Sequence, residues 1–379
     1  MNWPRILVTG GTGFIGGAVV EALHNASTDG VVAGVRHGSP RLDQLPVKCA
    51  NCDVLEQDSI ENALDGIEVV IHCARDPAKG ATVEGTRRLL DAIRVRRIKR
   101  LVHMSSIAVY GDADGVITED TPPSPADEYG ADKLAEERLC QAASGPGLTV
   151  AVIRPSLVYG PCGYVWTTRF IEGILEGQLN RFPEAQGPAN LIYVGDLARF
   201  AIGLAVQPLP EYSVFNANGA EIPTFNSYFD SLSRALGHGP LPLNERQLRS
   251  SLRRQVRRAA RLVLRTQEST LRQIASGKPS LEAKLSDVER AVRFDIGDER
   301  GARARYGREV VYSNDRARQF GLNPATSLRE GIDATVDWVK SAAAERDRDR
   351  SSNRPSPSAR PPRQSTSPSS MATPSRAIE

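Results

Sequence analysis

The chain has few cysteines, few aromatic residues and no long apolar run. Five of its 379 residues are cysteine, and aromatic residues make up 6%. The cysteines are odd in number and scattered, which argues against a disulfide framework. Cys49 and Cys52 have the spacing of a redox or zinc pair, but no second pair or nearby histidine completes a metal site, so no metal is predicted. The lack of a run of about 20 apolar residues excludes a membrane-spanning helix.

The charge balance is also modest. A net charge of +3 does not by itself indicate binding to nucleic acid, so no nucleic-acid partner is predicted. The content of 40% apolar and 25% charged residues is typical of a soluble globular protein. The chain shows no apolar leader before its first predicted strand, and we therefore expect a cytoplasmic protein.

The most informative stretch is a strand, a glycine turn and a helix near the N-terminus. The aliphatic run 5–9 predicts a buried strand, and apolar residues after position 16 recur at helical spacing. The glycines fit both Gly11-x-Gly13-x-x-Gly16 and Gly10-x-x-Gly13-x-x-Gly16, and either register predicts a turn that holds a dinucleotide pyrophosphate at a helix N-terminus. The residues predicted to contact the dinucleotide here are Gly10, Thr12, Gly13, Phe14, Ile15 and Gly16.

The end of the second predicted strand bears on the choice of cofactor. Arg36 lies about 20 residues after Gly16, where NAD enzymes place an acidic residue on the adenine ribose. An arginine there pairs with the 2′-phosphate of NADP and stacks on adenine. We therefore expect NADP rather than NAD, the alternative being a surface arginine at a strand end.

The next two strands add further candidate cofactor contacts. Asp53 and Val54 follow the third strand-like segment, where a carboxylate commonly holds the adenine amino group. Cys73 and Ala74 are small residues at the end of the fourth strand, which lets a cofactor lie across the sheet edge. His72 lies inside the same apolar strand and is interpreted as a core histidine.

A tyrosine and a lysine share one face of a later helix. Tyr129 and Lys133 are four residues apart, about one helical turn. A lysine ammonium next to the phenol favours its ionised form and makes it usable as an acid or base. Ser106 ends the fifth predicted strand at the same sheet edge, where its hydroxyl would hydrogen-bond a substrate oxygen. The three residues are predicted to be catalytic, and Tyr129 and Lys133 also to contact the cofactor.

In this order, the motifs resemble those of the extended short-chain dehydrogenases/reductases of the NAD-dependent epimerase/dehydratase family. The residues that carry the resemblance are Thr9–Gly16, Asp53, Val83–Thr86, Ser105–Gly111, Tyr129 with Lys133, Ile153–Pro161, Tyr193–Ala198, Phe320–Pro324 and Leu328–Ile332. The resemblance implies that Ser106, Tyr129 and Lys133 form the catalytic set and that Pro155 contacts the nicotinamide end of the cofactor.

Two positions depart from relatives within that family. The sugar 4,6-dehydratases carry an Asp-Glu pair after the catalytic hydroxyl residue, whereas this chain has Ile107 and Ala108, which cannot transfer protons. Family epimerases commonly hold NAD, whereas an arginine at position 36 is typical of NADPH-dependent reductases. Both departures favour a net carbonyl/alcohol redox reaction over dehydration or epimerisation.

The predicted fold is α/β, a Rossmann-type doubly wound parallel sheet in residues 1–160 with a smaller C-terminal α/β substrate lobe in residues 161–340, a range that is interleaved with the Rossmann domain. Two arginines of that lobe suit the diphosphate of a nucleotide sugar, the alternative being core aromatics and surface cations. The candidate substrate contacts are Tyr164, Trp166, Arg169 and Arg181 besides Ser106. Residues 341–379 are rich in Arg, Asp, Ser and Pro and are predicted to be disordered.

An insertion at about 245–310 is rich in arginine. Between Arg246 and Arg265, cations alternate with apolar residues at helical spacing, which predicts a basic amphipathic helix. Such a helix either covers the substrate lobe or lies on an anionic membrane surface, and we favour the first.

The sequence therefore predicts an NADP- or NAD-dependent oxidoreductase acting on a nucleotide sugar, a sterol-like compound or another small carbonyl compound. Two alternatives remain, namely a nucleotide-sugar epimerase with tightly held NAD and a non-catalytic NADP-binding regulatory protein. The resemblance also suggests a homodimer.

Overall fold

The computed structural model describes residues 3–26, 30–38, 40–76, 78, 80–244 and 299–352. The predicted helix between Arg246 and Arg265 lies outside these residues. Contacts divide the chain into two units, residues 1–339 and 340–379. No helix among the described residues is long and apolar enough to cross a membrane.

The elements alternate between strands and helices through the first half of the chain. In order they are β1 Ile6–Thr9, α1 Phe14–Asn25, β2 Val31–Val35, α2 Pro40–Asp43, β3 Lys48–Asn51, α3 Gln57–Ala63, β4 Val69–His72, α4 Ala81–Arg96, β5 Arg100–Met104, a 3₁₀ turn Ile107–Tyr110, β6 Gly115–Ile117, α5 Glu128–Ala143 and β7 Thr149–Pro155. The second half contains β8 Leu157–Tyr159, a π-helical turn Tyr164–Thr168, α6 Arg169–Leu175, β9 Leu191–Tyr193, α7 Val194–Val206, β10 Tyr212–Ala217, α8 Phe225–Ala235, α9 Glu299–Tyr306, β11 Val310–Tyr312, α10 Asp315–Gln319 and α11 Leu328–Ser352.

Seven strands form one parallel sheet in the order β10-β7-β5-β4-β1-β2-β3. The order reverses at β1, whose Thr9 lies opposite Gly34 of β2 on one side and His72 of β4 on the other. The carboxyl ends of β1, β2, β4 and β5 therefore meet at one sheet edge, where open α/β sheets bind ligands. The predicted doubly wound parallel sheet is confirmed.

Helices cover both faces of this sheet. Successive side chains of a strand point to opposite faces, so Ile6 and Val8 join the core beneath α1 and α7 while Leu7 joins the core beneath α3 and α4. Strands buried on both faces read as continuous aliphatic runs, which is why the sequence revealed them. A separate aromatic core forms around Phe170, Phe182 and Phe229, in the part of the chain that the sequence predicts as the substrate lobe.

The last helix corrects one prediction. We expected disorder from residue 341, but α11 continues to Ser352. An alanine run at 342–344 has the highest intrinsic helix propensity and extends the helix beyond its packed first half. Residues 353–379 of the predicted tail lie outside the described residues.

Candidate active site

A cleft of about 1270 Å³ opens at the carboxyl edge of the sheet. Its walls come from the glycine turn, the ends of β2, β4 and β5, the start of α5 and parts of the second lobe. The sequence-predicted residues that line it are Gly10, Thr12, Gly13, Phe14, Ile15, Gly16, Arg36, Val54, Cys73, Ala74, Ser106, Tyr129, Lys133, Pro155, Tyr164 and Trp166. Most of the predicted site is thus brought together in one place.

The glycine turn is built for close backbone approach. Gly10 has φ +67°, and a Cβ at Gly16 would lie 2.2 Å from the Gly10 carbonyl oxygen. Helix α1 begins after Gly13 without a side-chain cap and without an acidic residue in its first turn. Its first N–H groups and the positive end of its dipole therefore face the cleft free of a competing carboxylate, which fits the diphosphate of a dinucleotide.

At the end of β2, Arg36 forms an ion pair that the sequence did not reveal. Its Nη1 lies 2.8 Å from Oδ2 of Asp76, which follows β4, and both residues line the cleft. The backbone N–H of Ala78 donates to the other Asp76 oxygen. This hydrogen bond and the Arg36 guanidinium hold the pKa of Asp76 below its usual range. A 2′-phosphate that binds Arg36 would therefore compete with the Asp76 carboxylate for the guanidinium group.

Helix α5 places Tyr129 and Lys133 on the cleft. The Tyr129 side chain is 38% exposed, and the Arg75 guanidinium lies 5.0 Å from its ring centroid. Lys133 is buried, and its Nζ donates to the Met104 carbonyl oxygen and to Glu136 Oε2, each at 2.9 Å. Two of the three ammonium N–H bonds are thereby fixed, which orients the lysine from behind the cleft.

The carboxylate that pairs with Lys133 also lies next to a buried histidine. Glu136 is fully buried, and its Oε2 also lies 3.0 Å from Nε2 of His103 on β5. Burial raises the pKa of Glu136, but the neighbouring His103 imidazole and the Lys133 ammonium outweigh burial and lower it to about 2. Spacing alone could have indicated Glu136, since it lies three residues after Lys133 on one helix.

Ser106 was predicted to end the fifth strand, but β5 ends at Met104, and Ser106 precedes the 3₁₀ turn that follows it. Its Oγ accepts a hydrogen bond from the Ala108 backbone N–H at 3.1 Å and so caps the 3₁₀ turn. The hydroxyl proton stays available to a substrate oxygen, because the cap uses only a lone pair. Ile107 and Ala108 follow it into the cleft lining, where they offer no proton-transfer group.

Three predicted contacts lie elsewhere. Asp53 does not line the cleft, and its Oδ1 accepts from the Leu55 backbone N–H at 2.9 Å. Arg169 and Arg181 are also outside the cleft lining, Arg169 with its guanidinium carbon 5.2 Å from the Phe170 ring centroid and Arg181 paired with Asp230.

His72 is a core residue, as its apolar strand indicated. Its two ring nitrogens lie 2.7 Å from Thr9 Oγ1 and 3.1 Å from Thr86 Oγ1. Burial and the neighbouring His103 lower the pKa of His72 to about 3, so this imidazole is neutral near pH 7.

Comparison with known proteins gives the chain its family. Residues 6–217 match the profile of the NAD dependent epimerase/dehydratase family. An uncharacterised protein of Sinorhizobium fredii is 29% identical over 236 residues, which are 58% of this chain and 57% of that protein. The chain thus spans little more than half the length of that relative.

Two further proteins align along most of the chain. The 4-hydroxy-2-methyl-3-oxo-4-farnesyl-3,4-dihydroquinoline-1-oxide ketoreductase of Stigmatella aurantiaca is 26% identical over 352 residues, 87% of this chain and 95% of that enzyme. The structure of MoeE5 in complex with UDP-glucose and NAD aligns with a TM-score of 0.64 and 23% identity, covering 89% of this chain and 99% of MoeE5, and this likeness shows the fold alone. Because the family profile covers more than half of the 379 residues, the resemblance seen in the motifs is confirmed, and the chain belongs to the NAD dependent epimerase/dehydratase family.

Proposed function

We propose that the protein is an NADP-linked reductase or dehydrogenase that acts at a carbonyl or alcohol carbon of a small molecule. The observation that carries this proposal is the shared cleft, in which Ser106, Tyr129 and Lys133 line the same cavity as the glycine turn. The nicotinamide cofactor, when bound, donates or accepts the hydride. A cleft of about 1270 Å³ has room for a dinucleotide together with a small substrate.

The three side chains divide the remaining work. Tyr129 passes a proton to or from the substrate oxygen, and Ser106 orients that oxygen by donating its hydroxyl proton. Lys133 stabilises the ionised phenol and holds the nicotinamide ribose. The hydrogen bonds from Lys133 Nζ to the Met104 carbonyl oxygen and to Glu136 support this role. Because they already fix the position of the ammonium group, little conformational entropy is lost when Lys133 contacts the phenol and the ribose.

The preference for NADP rests on Arg36. A guanidinium pairs bidentately with a phosphate, whereas the 2′-hydroxyl of NAD needs no cation. The pairing with Asp76 holds Arg36 at the cleft before a cofactor binds. Asp76 is also a competitor, because a 2′-phosphate must share or displace its partner.

Replacing Arg36 with serine is expected to weaken NADPH binding by about 10-fold to 100-fold, the usual worth of a charged hydrogen bond. NADH binding should change less than threefold, since NADH lacks the 2′-phosphate. Nucleotide fluorescence on titration of the apoprotein measures both constants. Arg87→Ser is the matched control, because Arg87 is also half-exposed and ion-paired but lies on α4 outside the cleft lining. An equal loss for both nucleotides in Arg36→Ser would contradict the proposed role.

The Asp76→Asn variant tests the same site, but it is expected to strengthen NADPH binding rather than weaken it. The amide oxygen keeps an acceptor for the Ala78 N–H but removes the negative charge beside Arg36. We expect NADPH to bind several-fold more tightly and NADH to be nearly unaffected. Weaker NADPH binding in Asp76→Asn would instead mean that Asp76 orients Arg36 for the phosphate.

A nucleotide-sugar epimerase with tightly held NAD is the second candidate. The family's description names NAD and epimerases, and the MoeE5 structure holds both UDP-glucose and NAD. Arg36 favours the NADP-linked reductase or dehydrogenase, because it stands where NAD enzymes have an acidic residue that binds the adenine ribose. The fate of the cofactor separates the two, because an epimerase regenerates its cofactor in each turnover whereas a reductase must exchange it.

Two predictions about partners remain open to test. The basic segment between Arg246 and Arg265 is proposed to cover the substrate lobe, and flotation with neutral and anionic liposomes tests the membrane alternative. A homodimer remains a proposal from family resemblance, and sedimentation velocity tests it.

A further inference from the structure

We infer that the half of the cleft beyond the catalytic residues takes an apolar aromatic ketone rather than a nucleotide sugar. This inference rests on the proposed function only for the reaction, since it concerns what the walls of the cleft can bind. It is carried by the side chains that line this half and by the hydrogen bonds that its polar groups already make.

The walls of this half are apolar and aromatic. They include Leu157, Tyr164, Val165, Trp166, Phe225 and Tyr312. Helix α9 adds the small residues Gly301 and Ala304 to the lining. Concave sites lined by aromatic side chains with few polar groups bind apolar ligands, because ligand burial there removes apolar surface from water.

The π-helical turn holds two large apolar side chains at the cleft in an exposed position. Tyr164 is 45% exposed and Val165 is 53% exposed. Their neighbour Trp166 anchors the turn, since its ring lies 6.1 Å from the ring centroids of both Phe170 and Phe225. The turn is thus fixed by packing while Tyr164 and Val165 remain uncovered, as expected of a preformed apolar contact surface.

Binding of a nucleotide diphosphate requires several hydrogen-bond donors that point to one place. The two arginines that are candidates for this role, Arg169 and Arg181, make other contacts. Arg181 Nε donates to the Leu241 carbonyl oxygen at 2.6 Å, and its Nη1 lies 3.5 Å from Asp230 Oδ2. Arg169 lies over the Phe170 ring and outside the cleft lining. The two arginines that the sequence offered for a diphosphate therefore do not reach this half.

The polar groups that do line this half are largely occupied. Arg308 donates to the carbonyl oxygens of Gly111 and Ala113 and pairs with Asp114. Asn190 is satisfied at both ends of its amide, donating to the Val310 carbonyl oxygen at 2.8 Å and accepting from the Tyr312 backbone N–H.

Arg305 is the other arginine of α9 that lines the cleft. Among the described residues, Arg305 and Arg308 are the arginines of the second lobe in the lining, and Arg308 is engaged in hydrogen bonds to the chain. One arginine does not make a diphosphate clamp, since such sites use paired or bidentate contacts. The lining that the described residues provide therefore favours aromatic stacking over phosphate binding.

The test compares two probes on the full chain loaded with NADP⁺. Isothermal titration calorimetry with methyl 2-naphthyl ketone is expected to show binding, and titration with UDP-glucose is expected to show none at the same concentrations. Val165→Asp puts a carboxylate on the exposed apolar surface and should weaken ketone binding about 10-fold. Val95→Asp is the matched control, because Val95 is 67% exposed on α4 and does not line the cleft.

Each outcome decides the inference. Saturable UDP-glucose binding would overturn it, as would absence of ketone binding or ketone binding that Val165→Asp leaves unchanged. NADPH oxidation is followed separately with the same ketone. Ketone binding without NADPH oxidation would contradict the proposed reductase activity with this ketone while supporting the inferred substrate class, so the two failures are distinguishable.

Discussion

Replacing Tyr129 with phenylalanine is expected to lower the rate of hydride transfer by about 10²–10⁴-fold, the usual contribution of a positioned acid or base. The phenol hydroxyl is the only group removed, and the ring that packs under Arg75 remains. Loss of NADPH absorbance with methyl 2-naphthyl ketone measures the rate. The effect should fall on kcat, because the proton is transferred only as the bound substrate reacts.

Two controls separate chemistry from folding in this experiment. The NADPH dissociation constant of Tyr129→Phe should stay within threefold of the wild-type value, which shows that the cleft is intact. Tyr212→Phe removes a hydroxyl from a tyrosine of β10 that lies outside the cleft lining, and this variant should keep the wild-type rate. A correctly folded Tyr129→Phe protein with full turnover would refute the assigned role of Tyr129.

Replacing Arg154 with methionine is expected to lower the free energy of unfolding by about 3–5 kcal/mol, the usual cost of leaving one buried charge unpaired. Arg154 and Glu137 are both nearly fully buried, and two guanidinium nitrogens lie 2.9 and 2.6 Å from the two carboxylate oxygens. A third nitrogen donates to Tyr110 Oη at 2.8 Å. Urea unfolding followed by circular dichroism measures the loss.

A second variant identifies the cause of that loss. The double variant Arg154→Met with Glu137→Met removes both charges and should recover much of the lost stability, since the unpaired carboxylate is gone. Arg318→Met breaks the exposed pair with Asp315 and should cost about 1 kcal/mol or less. If Arg154→Met were as mild as Arg318→Met, the buried pair would not have the stabilising role that we assign to it.

Local patterns explain how much of this fold the sequence could predict. Strands buried on both faces read as aliphatic runs, and the turn between β1 and α1 needs glycines because a Cβ at position 16 would meet the Gly10 carbonyl oxygen. The positions of Tyr129 and Lys133 follow from helical spacing. These features depend on residues close in the chain, so the sequence determines them directly.

The contacts that the sequence missed join residues far apart in the chain. Asp76 reaches Arg36 across 40 positions, and neither residue indicates the other by spacing. Arg181 was a candidate for a substrate phosphate, yet it pairs with Asp230 because α8 folds back beside it. A cation's partner depends on which elements pack together, and composition does not encode that packing.

The most direct test of the central claim is the nucleotide released when the purified protein is denatured, identified and counted by chromatography. A reductase that exchanges its cofactor should release far less than one nucleotide per chain, and what it releases should be NADP⁺ or NADPH. Release of about one NAD per chain would contradict the account, because a tightly retained NAD belongs to an epimerase cycle and leaves Arg36 without its proposed phosphate.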